Sequence, residues 1–291
     1  MSNSKSHAPT LSPVMIKQAV IAALQEDLGL AGDLTSDATI PADAKATAVM
    51  NTREEGTIAG INIAKAAFEE IDPSISFEAL IKDGDKVKAG QDVARITGLA
   101  RAVLGAERVA LNYICHLSGI ATYTSQFAER IAHTKARVCC TRKTIPGLRS
   151  FEKYAVKCGG GSNHRYGLDD AILIKDNHIA VAGGVKSAID GARAFAGHLV
   201  KIEVEVDTLE QLKTVLAAGA DVVMLDNMSL DQLREGVTMV GGSIPVEASG
   251  NVNIDTIKDI AETGVDMIST SKITMSAPTL DLGLDIKIKS S

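Results

Sequence analysis

Val200-Lys-Ile-Glu-Val-Glu-Val206, Thr208-Leu-Glu-Gln211 and Asp221-Val-Val-Met-Leu225 form the passage on which the fold turns. Its first and last segments are short, nearly continuous apolar runs, as parallel strands covered on both faces require. Between them, Thr208-Leu-Glu-Gln211 has the form of a capping box that opens a helix, and Gly219 stands where a C-terminal cap belongs. Working outward, the same unit recurs. Candidate strands lie at 138–141, 171–174, 244–248 and 266–270, and candidate helices at 185–196, 229–240 and 254–263. Ser229-Leu-Asp-Gln232 repeats the capping box, and Gly264 repeats the terminal glycine. This rhythm, from residue 136 onward, predicts a parallel α/β barrel.

In such a barrel the C-terminal ends of the strands converge on one mouth. At or just past those ends stand Arg142, Lys143, Lys175, Glu205, Asp226, Ser249-Gly250-Asn251 and Ser269 to Lys272. The polarity of loops accounts for any one of them. It accounts less well for cations coming early and carboxylates in the middle.

Positive charge is concentrated in the stretch 139–178. From Arg142 to Arg165 the chain carries Arg142, Lys143, Arg149, Lys153, Lys157, His164 and Arg165 against a single acid, Glu152, although its net charge is −6. A basic block in an acidic protein calls for an anionic partner. Arg149, Lys153 and Lys157, spaced i, i+4, i+8, read as a solvated helix face. Arg142, Lys143, His164, Arg165 and Lys175 differ, because each abuts an apolar run or a glycine cluster. Desolvating a lone cation is costly, so several converging without carboxylates are untenable in an empty dry pocket. The site is expected to be wet until a polyanion fills it. Ser249-Gly250-Asn251 and Ser271 offer amides suited to a phosphate. A matching substrate carries several negative charges, a terminal phosphate, and a bound divalent cation or hydroxyls facing Glu205 and Asp226. Magnesium uses few carboxylates together with substrate phosphates.

At 291 residues the chain calls for one large or two unequal domains. A hydrophobic content of 45% without tryptophan suits an α/β globule. The pI near 5.6 argues against a nucleic-acid binder, and no apolar run approaches the length of a membrane span. Met1 to Pro13 is polar, lacks a signal-peptide apolar region and reads as a frayed tail. Cys115, Cys139, Cys140 and Cys158 show no CxxC spacing, which disfavours structural zinc. They read as reduced, mostly buried thiols of a cytoplasmic protein.

Toward the N-terminus, Ser12-Pro13 predicts a helix to about Leu28, followed by a turn at Gly32-Asp-Leu-Thr-Ser36. Strands are expected at 45–52, 57–61 and 77–81, with a helix over 61–71. Gly84-Asp-Lys-Val-Lys-Ala-Gly90 with Val93 to Thr97 reads as a β-hairpin. The same glycine pattern occurs in lipoyl and biotinyl carriers, but Gly98 to Ala110 supplies no modifiable lysine. Residues 100–131 predict two helices broken near Ser118-Gly119. On the first, Arg108, Asn112 and His116 share one face, and spacing alone does not choose between solvent and ligand.

Thr141-Arg-Lys-Thr-Ile-Pro-Gly-Leu-Arg149, Gly159-Gly-Gly-Ser-Asn-His-Arg165, Ile174-Lys-Asp-Asn-His178, Glu203-Val-Glu-Val206 and Leu225-Asp-Asn227 closely resemble the quinolinate phosphoribosyltransferases, also called carboxylating nicotinate-nucleotide pyrophosphorylases. The likeness runs in order from Glu26-Asp-Leu-Gly29 to Pro278-Thr-Leu-Asp281. It implies an incomplete parallel α/β barrel of six or seven strands over 119–275. It also implies an N-terminal open α/β sandwich over 1–118, joined by the segment 276–291. The implied reaction joins quinolinate to phosphoribosyl pyrophosphate with Mg²⁺, giving nicotinate mononucleotide, pyrophosphate and CO₂. The implied assembly is a homodimer, or a multiple of dimers, whose sites are shared between subunits.

By this resemblance Arg142, His164, Arg165 and Lys175 meet the quinolinate carboxylates, and Lys143 lies beside them with pyrophosphate as its other possible partner. Arg108 matches an arginine reaching in from the neighbouring subunit. Glu205 and Asp226 match carboxylates near the ribose hydroxyls and the metal, bound directly or through water. With Lys143 and Lys175 they make the implied catalytic set. Ser249 and Gly250 match the 5-phosphate loop. Ser271-Lys272 stands where many members carry Gly-Ala, so Lys272 offers charge in place of a close backbone approach. Rival readings are a paralogous phosphoribosyltransferase with another acceptor, a Schiff-base barrel using Lys175, and a carrier module.

Overall fold

The structure, a computed structural model, describes residues 10–287, so most of the expected frayed tail, at 1–9, lies outside the described residues. The chain divides into two compact units. One comprises Met1–Tyr123, Ser150–Gly160 and Ala277–Ser291; the other comprises Thr124–Arg149 and Gly161–Ser276. In chain order the elements begin with α1 (Pro13–Leu28), α2 (Leu34–Thr39), β1 (Lys45–Thr52), β2 (Gly56–Thr57) and α3 (Ile61–Ile71). β3 (Ser76–Ala79), β4 (Lys86–Val87), β5 (Asp92–Leu99) and α4 (Ala100–Arg130) follow. Then come β6 (Arg137–Cys139), α5 (Arg149–Cys158), β7 (Ile172–Ile174), α6 (Asp176–Ala182), α7 (Val185–Phe195), β8 (Ile202–Val206) and α8 (Leu209–Ala218). The chain closes with β9 (Val222–Asp226), α9 (Leu230–Val240), β10 (Val246–Ser249), α10 (Ile257–Ala261), β11 (Met267–Ser269), α11 (Lys272–Met275) and β12 (Leu282–Lys287).

The first unit is built on an antiparallel sheet of order β12-β1-β5-β3. Its C-terminal strand returns to pair Thr47 with Lys287 and Thr52 with Leu282. Three expectations fail here for identifiable reasons. The turn at 32–36 is instead the start of α2, because the Asp33 carboxylate accepts from the Thr35 and Ser36 N–H groups and caps it. The hairpin at 84–97 does not form. Gly84 and Gly90, both at positive φ, turn the chain on either side of β4, which pairs with β2 while β5 pairs with β1 and β3. α4 runs unbroken through Ser118-Gly119. Gly119 marks a close approach: a Cβ there would stand 2.1 Å from the Pro278 carbonyl oxygen.

α5 corrects two further readings. Residues 150–160 belong to the first unit, although the sequence suggested one barrel over 119–275. Phe151 stacks near Tyr113, Glu152 meets His116 at 3.0 Å and the Tyr154 hydroxyl donates to Asp83, all within that unit. Of the expected solvated cationic face Lys157 is exposed, but Lys153 is fully buried, and Arg149 donates to Thr144 and to the Tyr166 carbonyl. The cysteines form no disulfide, and burial, with Asp83 nearby, pushes the Cys158 thiol up to about 12.

The second unit carries six parallel strands in the order β6-β11-β10-β9-β8-β7, each within two residues of its expected span. Val138, Ile202, Val204, Val206, Val223, Leu225, Val246 and Ile268 are all essentially buried in it. At roughly 1.5–3 kcal/mol per fully buried aliphatic side chain, these residues dominate the unit's stability. Both expected capping boxes form, Thr208 with Gln211 and Ser229 with Gln232, and Gly219 takes the left-handed cap at φ 80°. Residue Ser162 makes a parallel bridge to Cys139, beyond the outer edge of β6. The sheet is thus an incomplete barrel.

Candidate active site

Thr141, Arg142, Lys143, His164, Arg165, Leu173, Lys175, Met224, Ser249 and Ser269, with Glu205 and Glu247, line one cavity of about 340 Å³ at the strands' C-terminal ends. β6 delivers Arg142 and Lys143. The Thr274 hydroxyl on α11 pins this loop by donating to the Lys143 carbonyl at 2.8 Å. β7 delivers Lys175, whose ammonium ion pairs with the Glu205 carboxylate at the end of β8. Because Glu205 sits opposite Met224, Asp226 falls two residues further along the same face of β9.

The electrostatics are unbalanced on the side of the arginines. Arg142 Nε and Arg165 Nε are buried and have no hydrogen-bond partner. Burial, then the Arg142 guanidinium beside it, lowers the Arg165 pKa. Arg165 Nη1 spends one donor on the Ala171 carbonyl at 2.9 Å, which aims the remaining edge of the fork. Two neighbouring guanidinium groups with idle donors form a receptor for planar carboxylates.

Beneath them lies a polar floor that the sequence reading did not single out. His164 Nε2 stands 2.9 Å from Glu203 Oε2 and 3.8 Å from Glu247 Oε1. Burial, then Glu203, pushes Glu247 up to about 7. The ligating atoms of the three residues lie within 4.8 Å of one another, yet the imidazole directs a proton rather than a lone pair at Glu203, so they do not form a ready metal site. A signal for them existed: carboxylates at 203 and 247 interrupt strands that are otherwise apolar.

The remaining expected residues divide. Gly250 is at φ 93°, where a Cβ would meet Asn227 Oδ1 at 2.2 Å, so the turn after β10 admits only glycine. Asn251 at φ 53° donates to the same Asn227 oxygen, closing the loop tightly. Asp226, Gly250, Ser271 and Lys272 do not line the 340 Å³ cavity itself. The Lys272 backbone N–H is taken by the Thr270 hydroxyl at 3.2 Å. Arg108 and Asn112 are exposed on α4 in the first unit, whereas His116 turns to the buried Glu152. As for a divalent ion, Glu205 already engages Lys175, and Asp226 Oδ2 accepts from Asn227 at 2.5 Å. With one oxygen of each engaged, the pair suits a hydrated ion met largely through water.

Two family descriptions cover nearly all of this architecture: the quinolinate phosphoribosyl transferase N-terminal domain over residues 33–118 and its C-terminal domain over residues 120–285. The chain belongs to the quinolinate phosphoribosyltransferase family. Within it, the chain is 43% identical over 263 residues to the probable nicotinate-nucleotide pyrophosphorylase [carboxylating] of Bacillus subtilis, covering 90% of each. It is 43% identical to the chloroplastic enzyme of that name from Oryza sativa, over 96% of this chain and 80% of that protein. The crystal structure of NadC from Streptococcus pyogenes superposes with a TM-score of 0.92 at 40% identity, over 96% of this chain and all of that one.

Proposed function

We propose that this quinolinate phosphoribosyltransferase-family chain transfers phosphoribose from phosphoribosyl pyrophosphate to the ring nitrogen of quinolinate. Loss of the adjacent carboxylate as CO₂ completes the reaction, giving nicotinate mononucleotide and pyrophosphate. The observation that carries this reading is the pair of arginines, Arg142 and Arg165, that line a cavity of about 340 Å³ and each keep a buried Nε–H unbonded. They suit a small planar dianion. Lys175 takes a carboxylate edge, and Lys143, more exposed on its loop, meets the departing pyrophosphate. Glu205 and Asp226 face the ribose and favour the positive charge that develops there as the leaving group departs. The tight turn at Ser249 and Gly250 presents backbone to the 5-phosphate. After transfer the pyridine nitrogen is cationic and draws in the electron pair released with CO₂; a proton then takes the vacated carbon.

Glu205 and Asp226 would hold a Mg²⁺ ion, which would supply charge neutralisation of the pyrophosphate. The working assembly is a homodimer or multiple of dimers in which a neighbour's Arg108 completes the site, and its exposure in the isolated chain supports this. A reducing compartment, the cytoplasm, fits cysteines that form no disulfide. A Schiff-base role for Lys175 is disfavoured, because that chemistry needs a desolvated amine and this one is 43% exposed on a carboxylate. The test is release of labelled CO₂ from quinolinate labelled at its 2-carboxylate. Release requires phosphoribosyl pyrophosphate and falls away when divalent ions are chelated; turnover of nicotinate without CO₂ release would overturn the assignment.

A further inference from the structure

Both ring nitrogens of His164 are engaged inside the protein. The Arg165 backbone N–H, which can only donate, points at Nδ1 from 2.9 Å. The lone pair therefore lies on Nδ1 and the proton on Nε2, where Glu203 Oε2 accepts it at 2.9 Å. Glu247 Oε1 stands behind, 3.8 Å from the same nitrogen. Glu203 Oε1 and Glu247 Oε1 are buried without hydrogen-bond partners, so acceptors outnumber the donors available to them. Turning the imidazole to its other tautomer would aim a lone pair at these oxygens and a proton at a backbone N–H, an expensive double mismatch. The chain of contacts continues into the Arg165 backbone; its Nη1 is tied to Ala171, and its Nε is buried without a partner.

We propose that Glu203 and Glu247 are positioning residues for the acceptor acid: through the fixed Nε2–H tautomer of His164, whose Nδ1 accepts the Arg165 backbone N–H, they set the backbone that carries the Arg165 side chain. This rests on the quinolinate reading of the cavity and adds to the part played by His164, which holds the Arg165 backbone N–H as well as lining the cavity. Burial and the neighbouring Glu203 push the Glu247 carboxyl upward, which lessens the negative charge of the floor. The cationic half of the cavity therefore keeps its attraction for an anion.

Two measurements test this. Two-bond ¹H–¹⁵N correlation spectra of the full-length protein, with His164 assigned by its loss in His164→Gln, report the tautomer directly. We expect a lone-pair Nδ1 and a protonated Nε2 at the pH of the activity assay, because the Arg165 N–H needs the first and Glu203 the second. An imidazolium or an Nδ1–H ring overturns the proposal without reference to any variant's folding. In kinetics, Glu203→Ala raises the quinolinate KM about tenfold and leaves the phosphoribosyl pyrophosphate KM within about threefold, while Glu203→Gln, whose carbonyl still accepts the Nε2 proton, recovers to within about threefold of wild type. Equal rises in both KM values, or no recovery in the glutamine variant, would sink the positioning role. Wild-type protein that releases no CO₂ defeats the proposed reaction. A wrong tautomer in an active enzyme defeats this inference alone.

Discussion

The two ends of the six-stranded sheet treat their cations in opposite ways. Toward the N-terminal ends of the strands a cavity of about 890 Å³ includes Lys135, Arg137 and Lys201 in its lining, and it reaches inward to His164, Arg165 and Glu247, which it shares with the smaller cavity. There Lys135 closes on Asp266 at 2.7 Å and Lys201 reaches Asp221 at 3.6 Å. At the C-terminal ends the cavity is less than half that size, and Arg142 and Arg165 hold donors that no protein acceptor satisfies. Volume favours the first end, and the unmatched charge lies on Arg165 between the two cavities and on Arg142 in the second. Chemistry follows the unmatched charge, because paired surface ions have little field left for a ligand whereas idle buried donors have a free energy to recover.

The sharpest way to break this contrast is Arg165→Ala. With two charge-assisted bonds of roughly 1.5–3 kcal/mol each at stake, the quinolinate KM should rise about a hundredfold or more, with unchanged circular dichroism. Wild-type kinetics would remove Arg165 from the site. Next comes Gly250→Ala, which places a side chain at φ 93° and 2.2 Å from Asn227 Oδ1. Urea denaturation should show a loss of about 1–3 kcal/mol, together with a raised KM for phosphoribosyl pyrophosphate. An unchanged midpoint would mean that the turn relaxes freely.

Smaller still is the effect of pH on stability. Glu247 has a folded value near 7 against an ordinary 4.5, so its contribution is fully present below the lower value and is lost as pH rises through the higher one. Wild-type protein should therefore melt progressively lower from about pH 4.5 to about pH 7, and Glu247→Gln should flatten that slope in a thermal-shift series. Smallest is Lys135→Ala at the other end. Its exposed pair with Asp266 is worth at most about 0.5 kcal/mol, and steady-state kinetics should not move. A large kinetic effect there would erase the distinction between the two ends.

The barrel was legible because its signals are local and redundant. Thr208 with Gln211, Ser229 with Gln232 and Gly219 each mark an element boundary through backbone hydrogen bonding that depends on few distant contacts. Gly119 and Lys153 misled for the opposite reason. The glycine is required by Pro278, far along the chain, and the lysine lies buried on a helix whose spacing resembled a wet face. At the cavity, the residues at strand ends could be named from their order in the sequence. Glu247 and Glu203 escaped notice because their importance lies in a meeting with His164, and sequence order carries no trace of that meeting until three elements are placed side by side.

The open seam of the barrel has a practical side. Ser162 donates its backbone N–H to the Val138 carbonyl at 2.8 Å and accepts from Cys140 at 3.1 Å, so a single residue stands in for a closing strand before the chain departs toward His164 and Arg165. The segment that carries His164 and Arg165 is thus anchored to the scaffold at a hem and owes the inter-strand ladder almost nothing. For anyone wishing to retarget the enzyme to a different pyridine acid, residues 163–171 are the natural cassette to exchange, since the six-strand register can be inherited intact.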